Sequence, residues 1–254
     1  MISLIIDRLR KVLRGRFISR FVDEEAIAQC CQLTMKEVKK NPMRFDVINY
    51  LLERTDNKQY LEIGVRNPAE CFDRIKASRK FSVDPGFEAK VNQATYKYTS
   101  DEFFKKMKHR DIDIAMERFG VIFLDGLHLA DQAYRDIENC LRILDSPGFL
   151  VLHDCNPPTH HHAREDYREK GPAGPYWNGT TWKAFVRFRE NNENRAFVID
   201  TDWGVGVICS HLLDKSNVNR QSVNPFYEYK KFEETRKASL NLIEFSQLDR
   251  LVKE

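Results

Sequence analysis

Two short stretches hold the side chains best suited to chemistry. Val121-Ile-Phe-Leu-Asp125-Gly-Leu-His128 ends an apolar run in a carboxylate, with an imidazole three residues on. Phe149-Leu-Val-Leu-His153-Asp154-Cys-Asn156 ends a second run in an imidazole, a carboxylate and an amide. Imidazole titrates near neutral pH and can serve as a general base. Carboxylate and amide oxygens are hard donors that suit Mg2+ or Mn2+. Upstream, Gln59-Tyr-Leu-Glu62-Ile-Gly64 and Phe81-Ser-Val-Asp84-Pro85 each finish an apolar run with an acid. Gly64 permits a tight turn where a Cβ would obstruct a ligand, and an acid after a second strand can accept from ribose hydroxyls.

These groups need a frame that brings them together. The pattern predicts strands near 59–63, 80–84, 94–98, 119–124 and 148–153, with helices near 68–78, 100–108 and 130–144 between them. Strands alternating with helical patterns imply a parallel sheet. The continuously apolar runs at 121–124 and 149–152 imply helices on both faces. All four acid-bearing strand ends then lie along one edge. Beyond Asn156, the segment Pro157 to Gly179 reads as a loop or lid containing His160-His161-His162. A helix near 180–189, a hairpin of 195–200 with 204–209, and a tail helix over 228–252 follow. Residues 1–56 read as a helical N-terminal extension, 57–211 as the α/β domain and 212–254 as a C-terminal helical tail.

Hydrophobic content of 42% with 31% charged residues fits one globular α/β domain with extensions. A net charge of +3 is too small to imply a nucleic-acid partner. Six cysteines without a C-x-x-C spacing indicate reduced thiols and a cytoplasmic setting. No apolar run reaches the roughly 18 residues of a membrane span. Residues 1–21 alternate apolar side chains with Arg8, Arg10, Lys11, Arg14, Arg16 and Arg20. Such a helix can lie peripherally on the anionic inner surface of a membrane, or pack on the core or on a second copy in a homo-oligomer.

Tyr60-Leu-Glu62-Ile-Gly64, Ser82-Val-Asp84, Phe123-Leu-Asp125-Gly-Leu-His128 and Gly148-Phe-Leu-Val-Leu-His153-Asp154 together resemble the class I S-adenosylmethionine-dependent methyltransferases. Within that class they are most similar to the small-molecule and sugar O-methyltransferases, with D-G-x-H after the fourth strand and H-D after the fifth. The resemblance covers about residues 57–210 and implies a doubly wound, seven-stranded Rossmann-like sheet closed by a reversed hairpin. It implies adenosylmethionine held by the loop after Glu62 and Gly64, Asp84 on the ribose, and Ser100, Asp101 and Asp125 near the donor. One departure stands out: Glu70 and Cys71 occupy the region where the glycine loop of the class has its last glycine.

In that topology Asp125 and Asp154 end adjacent strands, and two like charges so close must be separated by a cation or a proton. A metal-assisted reaction would use Asp125 and Asp154 as ligands, with Asn156 or His153 as a further one. A metal-free one would use His128 or His153 as base, with Asp125 beside it. A third reading has His128 simply tying Asp125 to a neighbouring loop. Ser100 and Asp101 read equally as helix caps. The histidine run reads as a solvated loop, since consecutive residues converge poorly on one ion. Trp177-Asn-Gly-Thr-Thr-Trp182 offers aromatic faces to a flat or sugar acceptor, or helix-entry packing; its N-x-T triplet matters only in a secreted protein. The expected activity is methyl transfer to a hydroxyl of a sugar or other small acceptor. A non-catalytic nucleoside-binding scaffold and a metal-dependent hydrolase are the alternatives.

Overall fold

The computed structural model describes residues 23–88, 90–192, 196–211 and 224–252. The basic segment 1–21 lies outside them. Seven strands form one sheet: β1 Gln59–Ile63, β2 Arg79–Val83, β3 Phe119–Leu124, β4 Leu144–Leu152, β5 Ala196–Ile199, β6 Val205–Cys209 and β7 Leu242–Ile243. Their order is β2-β1-β3-β4-β6-β5-β7. The first four run parallel, and β6 is antiparallel to both β4 and β5. This is the reversed hairpin expected of a doubly wound methyltransferase-type sheet. The helices are α1 Glu24–Glu37, α2 Arg44–Leu52, α3 Ser100–His109, α4 Ala130–Ile143, α5 Thr181–Asn191, α6 Tyr229–Leu240 and α7 Leu248–Val252.

Alternation along the strands assigns each face its partners. Leu61, Ile63, Ile122, Leu124, Leu150 and Leu152 pack with Phe103, Ile137, Phe185 and Phe232 from α3, α4, α5 and α6. Tyr60, Val121, Phe123, Phe149 and Val151 face Val47, Ile48, Leu51 and Leu52 of α2, with Leu248 and Val252 of α7. The N-terminal helix α2 is therefore part of the core. Register places Ile63, Val83, Leu124 and Leu152 in one row. The residues that follow them, Gly64, Asp84, Asp125 and His153, thus share one edge.

Four elements differ from expectation. Residues 94–98 contribute a single parallel bridge, Val83 to Tyr96. There the side chains displace a ladder: Ser82 N donates to Thr95 Oγ1 and Thr95 N donates to Ser82 Oγ. The seventh strand is instead Leu242–Ile243, paired parallel with β5. The tail is not one helix, because Asn241 takes a left-handed conformation (φ 47°) and ends α6. Between β1 and β2, two single 3-10 turns, Pro68–Glu70 and Phe72–Arg74, replace the predicted helix. Lys80 Nζ takes up the carbonyls of Phe72 and Ile75 there.

Candidate active site

The strand row fixes the first tier of the site. Asp125 and His153 follow β3 and β4 directly, and Asp154 adopts φ 59°, which turns its side chain back toward Asp125. His128 Nε2 lies 3.2 Å from Asp125 Oδ1, and its Nδ1 lies 3.2 Å from Asp154 Oδ2. His153 Nδ1 is 3.3 Å from both Asp125 Oδ1 and Asp154 Oδ2. Two imidazoles therefore stand between two carboxylates.

A second tier closes over His153. Asp202, at the tip of the β5–β6 hairpin, has Oδ1 3.4 Å from His153 Nε2. Arg44, at the start of α2, donates to both oxygens of Asp202 through Nη1, at 3.2 and 3.1 Å. Arg44 Nε also lies 4.0 Å from Asp125 Oδ2. The cluster thus joins three acids (Asp125, Asp154, Asp202) to three basic side chains (Arg44, His128, His153).

Its electrostatics follow from that balance. Burial opposes the imidazolium at His128, but Asp154 and Asp125 outweigh it and raise the pKa. At His153 burial again opposes the charge, and Asp154, Asp125 and Asp202 lift the pKa well above the ordinary value. Burial alone would raise Asp125, yet His153 and His128 hold it well below the carboxylate range. Asp202 is depressed against its own burial by His153 and Arg44. The acids thus favour the imidazolium form of the rings between them.

Beneath the cluster lies a neutral pocket of acid and phenol. Tyr60 donates to Glu62 Oε2 at 2.5 Å, and burial pushes the Glu62 carboxyl up to about 8. Burial likewise raises the Cys71 thiol beside it, well out of the reactive range. Glu62 is therefore a buried core group whose neutral form is favoured by its surroundings.

The fold and the strand-end chemistry agree with a family model described as a methyltransferase domain, which matches residues 50–155. Residues 50–155 thus carry a methyltransferase domain by that match. Solved structures similar to the chain include O-methyltransferases. One, from Bacillus cereus in complex with SAH, is 12% identical with a TM-score of 0.42, and the match covers 78% of this chain and 97% of that one. TomG from Streptomyces achromogenes, involved in tomaymycin synthesis and in complex with SAM, is 12% identical at a TM-score of 0.40, covering 77% and 94%. MycE, from the mycinamycin biosynthetic pathway in complex with Mg, SAH and mycinamycin VI, is 13% identical at 0.44, covering 82% and 59%. Comparison with curated protein sequences gave no match.

Within the methyltransferase domain, the predicted donor-side residues sit as follows. Gly64 takes φ +89°, and a Cβ there would come 2.2 Å from Asp125 O and 2.6 Å from Gly126 Cα. The glycine is required by the β3 loop against which it packs. Asp84 Oδ2 accepts from Val65 N and Arg66 N, each at 2.9 Å, and Oδ1 accepts from Gly86 N at 2.6 Å. The acid therefore shapes the glycine loop, and Oδ1 keeps lone-pair capacity for one more donor. Ser100 bonds Asp136 and Gln132 of α4, away from the Asp125 cluster. The cap of α3 is Thr99, in a reciprocal box with Glu102.

Asn156 is committed elsewhere: Nδ2 donates to Asp200 at 3.1 Å, and Oδ1 accepts from Arg236 at 2.6 Å. Among the described His, Cys, Asp and Glu side chains, Asp125, His128 and Asp154 offer ligand atoms within 4.8 Å of one another. His128 Nδ1 is buried without a hydrogen bond. Apart from its 3.2 Å contact with Asp154 Oδ2, that nitrogen has no partner, and two carboxylates beside a neutral imidazole fit a divalent cation.

The histidine run is not a solvated loop throughout. His162 is fully buried, with its ring nitrogens 3.0 Å from Thr34 Oγ1 and 2.9 Å from Thr159 Oγ1. It fastens the loop to α1. Trp177 stacks on His128, with ring centroids 5.0 Å apart and 20° between planes. Arg44, Asp202 and Trp177 thus join a site that strand-end motifs alone did not outline. No helix among the described residues is long and apolar enough to cross a membrane.

Proposed function

We propose that this chain transfers the methyl group of S-adenosylmethionine to a hydroxyl of a sugar or other small acceptor, assisted by a divalent cation. The observation that carries the reading is the convergence of Asp125, Asp154 and His128 at the carboxyl ends of β3 and β4. The sulfonium methyl is already electrophilic, so the protein's main task is to align oxygen, carbon and sulfur and to lower the acceptor proton's affinity. Asp84 and the loop from Gly64 take the ribose end of the donor. Asp125, Asp154 and His128 would hold Mg2+ or Mn2+. A bound cation of that kind acidifies a hydroxyl that approaches it.

The remaining work belongs to the chain's own side chains. Asp202 and Arg44 hold His153 in place behind the carboxylates. Trp177 covers His128 and excludes water from that face of the site. The acceptor hydroxyl passes its proton to His153 once that ring is neutral. Incubation with adenosylmethionine and a panel of sugars and polyhydroxylated small molecules, with adenosylhomocysteine as the readout, tests the reading. Acceptor-dependent product that falls on chelation supports it. Product formed at the same rate in EDTA would remove the cation from the account.

A further inference from the structure

The segment Trp177-Asn178-Gly179-Thr180 lays four consecutive residues onto the site. Trp177 stacks on the His128 ring, and its indole nitrogen is fixed by the Arg164 carbonyl at 2.7 Å. Asn178 donates Nδ2 to Asp154 Oδ1. Gly179 (φ +63°) packs so closely that a Cβ would come 2.2 Å from His128 O. Thr180 N donates to that same carbonyl at 2.7 Å, and Thr180 Oγ1 accepts from Ala130 N at the start of α4. The main chain around Asn178 is therefore pinned to His128 on one side, while its side chain reaches Asp154 on the other.

Asn178 is 1% exposed, and its Oδ1 is buried without any hydrogen-bond partner. The orientation of the amide is not arbitrary. A carboxylate oxygen accepts, so the amide nitrogen faces Asp154 and the amide oxygen is the end left without a partner. An unpaired buried carbonyl of this kind is costly, and native structures leave few of them without a reason. Asn156, the amide that the sequence points to, has both of its ends taken by Asp200 and Arg236.

We infer that Asn178 is a binding residue of this site: its amide nitrogen holds Asp154, and its amide oxygen is the neutral ligand offered to the cation at Asp125, Asp154 and His128. The inference rests on the proposed cation-assisted reaction and adds a ligand to it. A neutral oxygen beside two carboxylates is the donor set that hard divalent cations prefer.

Calorimetric titration of Mn2+ alone into the full chain tests this without any acceptor. Asn178→Ala should bind Mn2+ about ten-fold or more weakly, whereas Asn156→Ala should stay within about two-fold of wild type. Asn178→Asp separates a ligand from a prop, because it keeps an oxygen and adds charge but loses the donor to Asp154. As a ligand it should bind Mn2+ at least as tightly as wild type; as a prop it should be as weak as Asn178→Ala. Wild-type affinity in Asn178→Ala, or weak binding in Asn178→Asp, overturns the assignment. A wild-type chain that binds adenosylhomocysteine but no Mn2+ removes both the cation and Asn178's role, and leaves the donor site standing.

Discussion

Arg44 and Asp202 lie 158 residues apart in sequence and are joined by three hydrogen bonds, one from the Arg44 main-chain nitrogen at 2.8 Å and two from Nη1. The pair locks the start of α2 to the hairpin tip, and Thr201 Oγ1 reinforces it by donating to Pro42 O at 2.6 Å. Asp202→Ala would strip the buried guanidinium of its hydrogen-bonded acid, leaving it Asp125 and Glu70 at 4.0 Å, and would leave His153 Nε2 without its carboxylate. A loss of about 3–5 kcal/mol is expected from breaking one side of such a pair. Urea unfolding measures it, and a loss under about 1 kcal/mol would mean that the pair is dispensable.

His162 supplies an acid-sensitive element. Burial first, then Arg164 and His161, lower its pKa from 6.5 to about 4. Above pH 6.5 the ring is neutral whether folded or unfolded, and its full contribution is present. As pH falls toward 4, the unfolded chain takes up a proton that the folded chain refuses, so stability declines. The total is on the order of 3 kcal/mol. His162→Gln should flatten the stability profile between pH 6.5 and 4; an unchanged slope would place the acid sensitivity elsewhere.

Asp84→Ala should weaken adenosylmethionine binding by about 1.5–3 kcal/mol, the range for a lost hydrogen bond to a charged group. Because Asp84 also accepts from Val65 N, Arg66 N and Gly86 N, protection of those amides from hydrogen exchange should fall as well. Full donor affinity in a folded variant would move the ribose away from this acid.

The loop Pro157 to Gly179 divides into a fixed and an exposed part. Arg164 donates to the carbonyls of His161, Tyr176 and Gly174, whereas 165–170 are exposed throughout. Trypsin should therefore cut after Arg168 and Lys170 well before Arg164. Cutting should slow when adenosylhomocysteine and acceptor are bound, if the exposed part closes over the site. First cleavage at Arg164 would contradict the hydrogen-bonded core of this loop.

The sequence made the sheet edge legible because continuous apolar runs announce buried parallel strands, and the acids at their ends follow at once. Asp125, His128, His153 and Asp154 meet as the motifs suggested. Arg44 and Asp202 were invisible for a physical reason: nothing local tells that a helix start and a hairpin tip will meet. Asn178 read as part of an aromatic turn or a glycosylation triplet, and only its place between His128 and Asp154 reveals it. Asn156 misled because it adjoins Asp154 in sequence while its amide faces Asp200 and Arg236. The 94–98 strand failed because Ser82 and Thr95 hydroxyls compete for the amides that a ladder would use.

The central claim is that donor binding and the two-carboxylate centre are separate parts of one methyltransferase site. Calorimetric titration of adenosylhomocysteine into wild type, Asp125→Asn and Asp154→Asn, each with and without Mg2+, tests it most directly. The account predicts donor binding in all three proteins, a Mg2+-dependent heat in the wild type alone, and no methyl transfer by either variant with an acceptor that the wild type methylates. Failure of the wild type to bind adenosylhomocysteine under either condition, or near wild-type turnover in either variant, would contradict it.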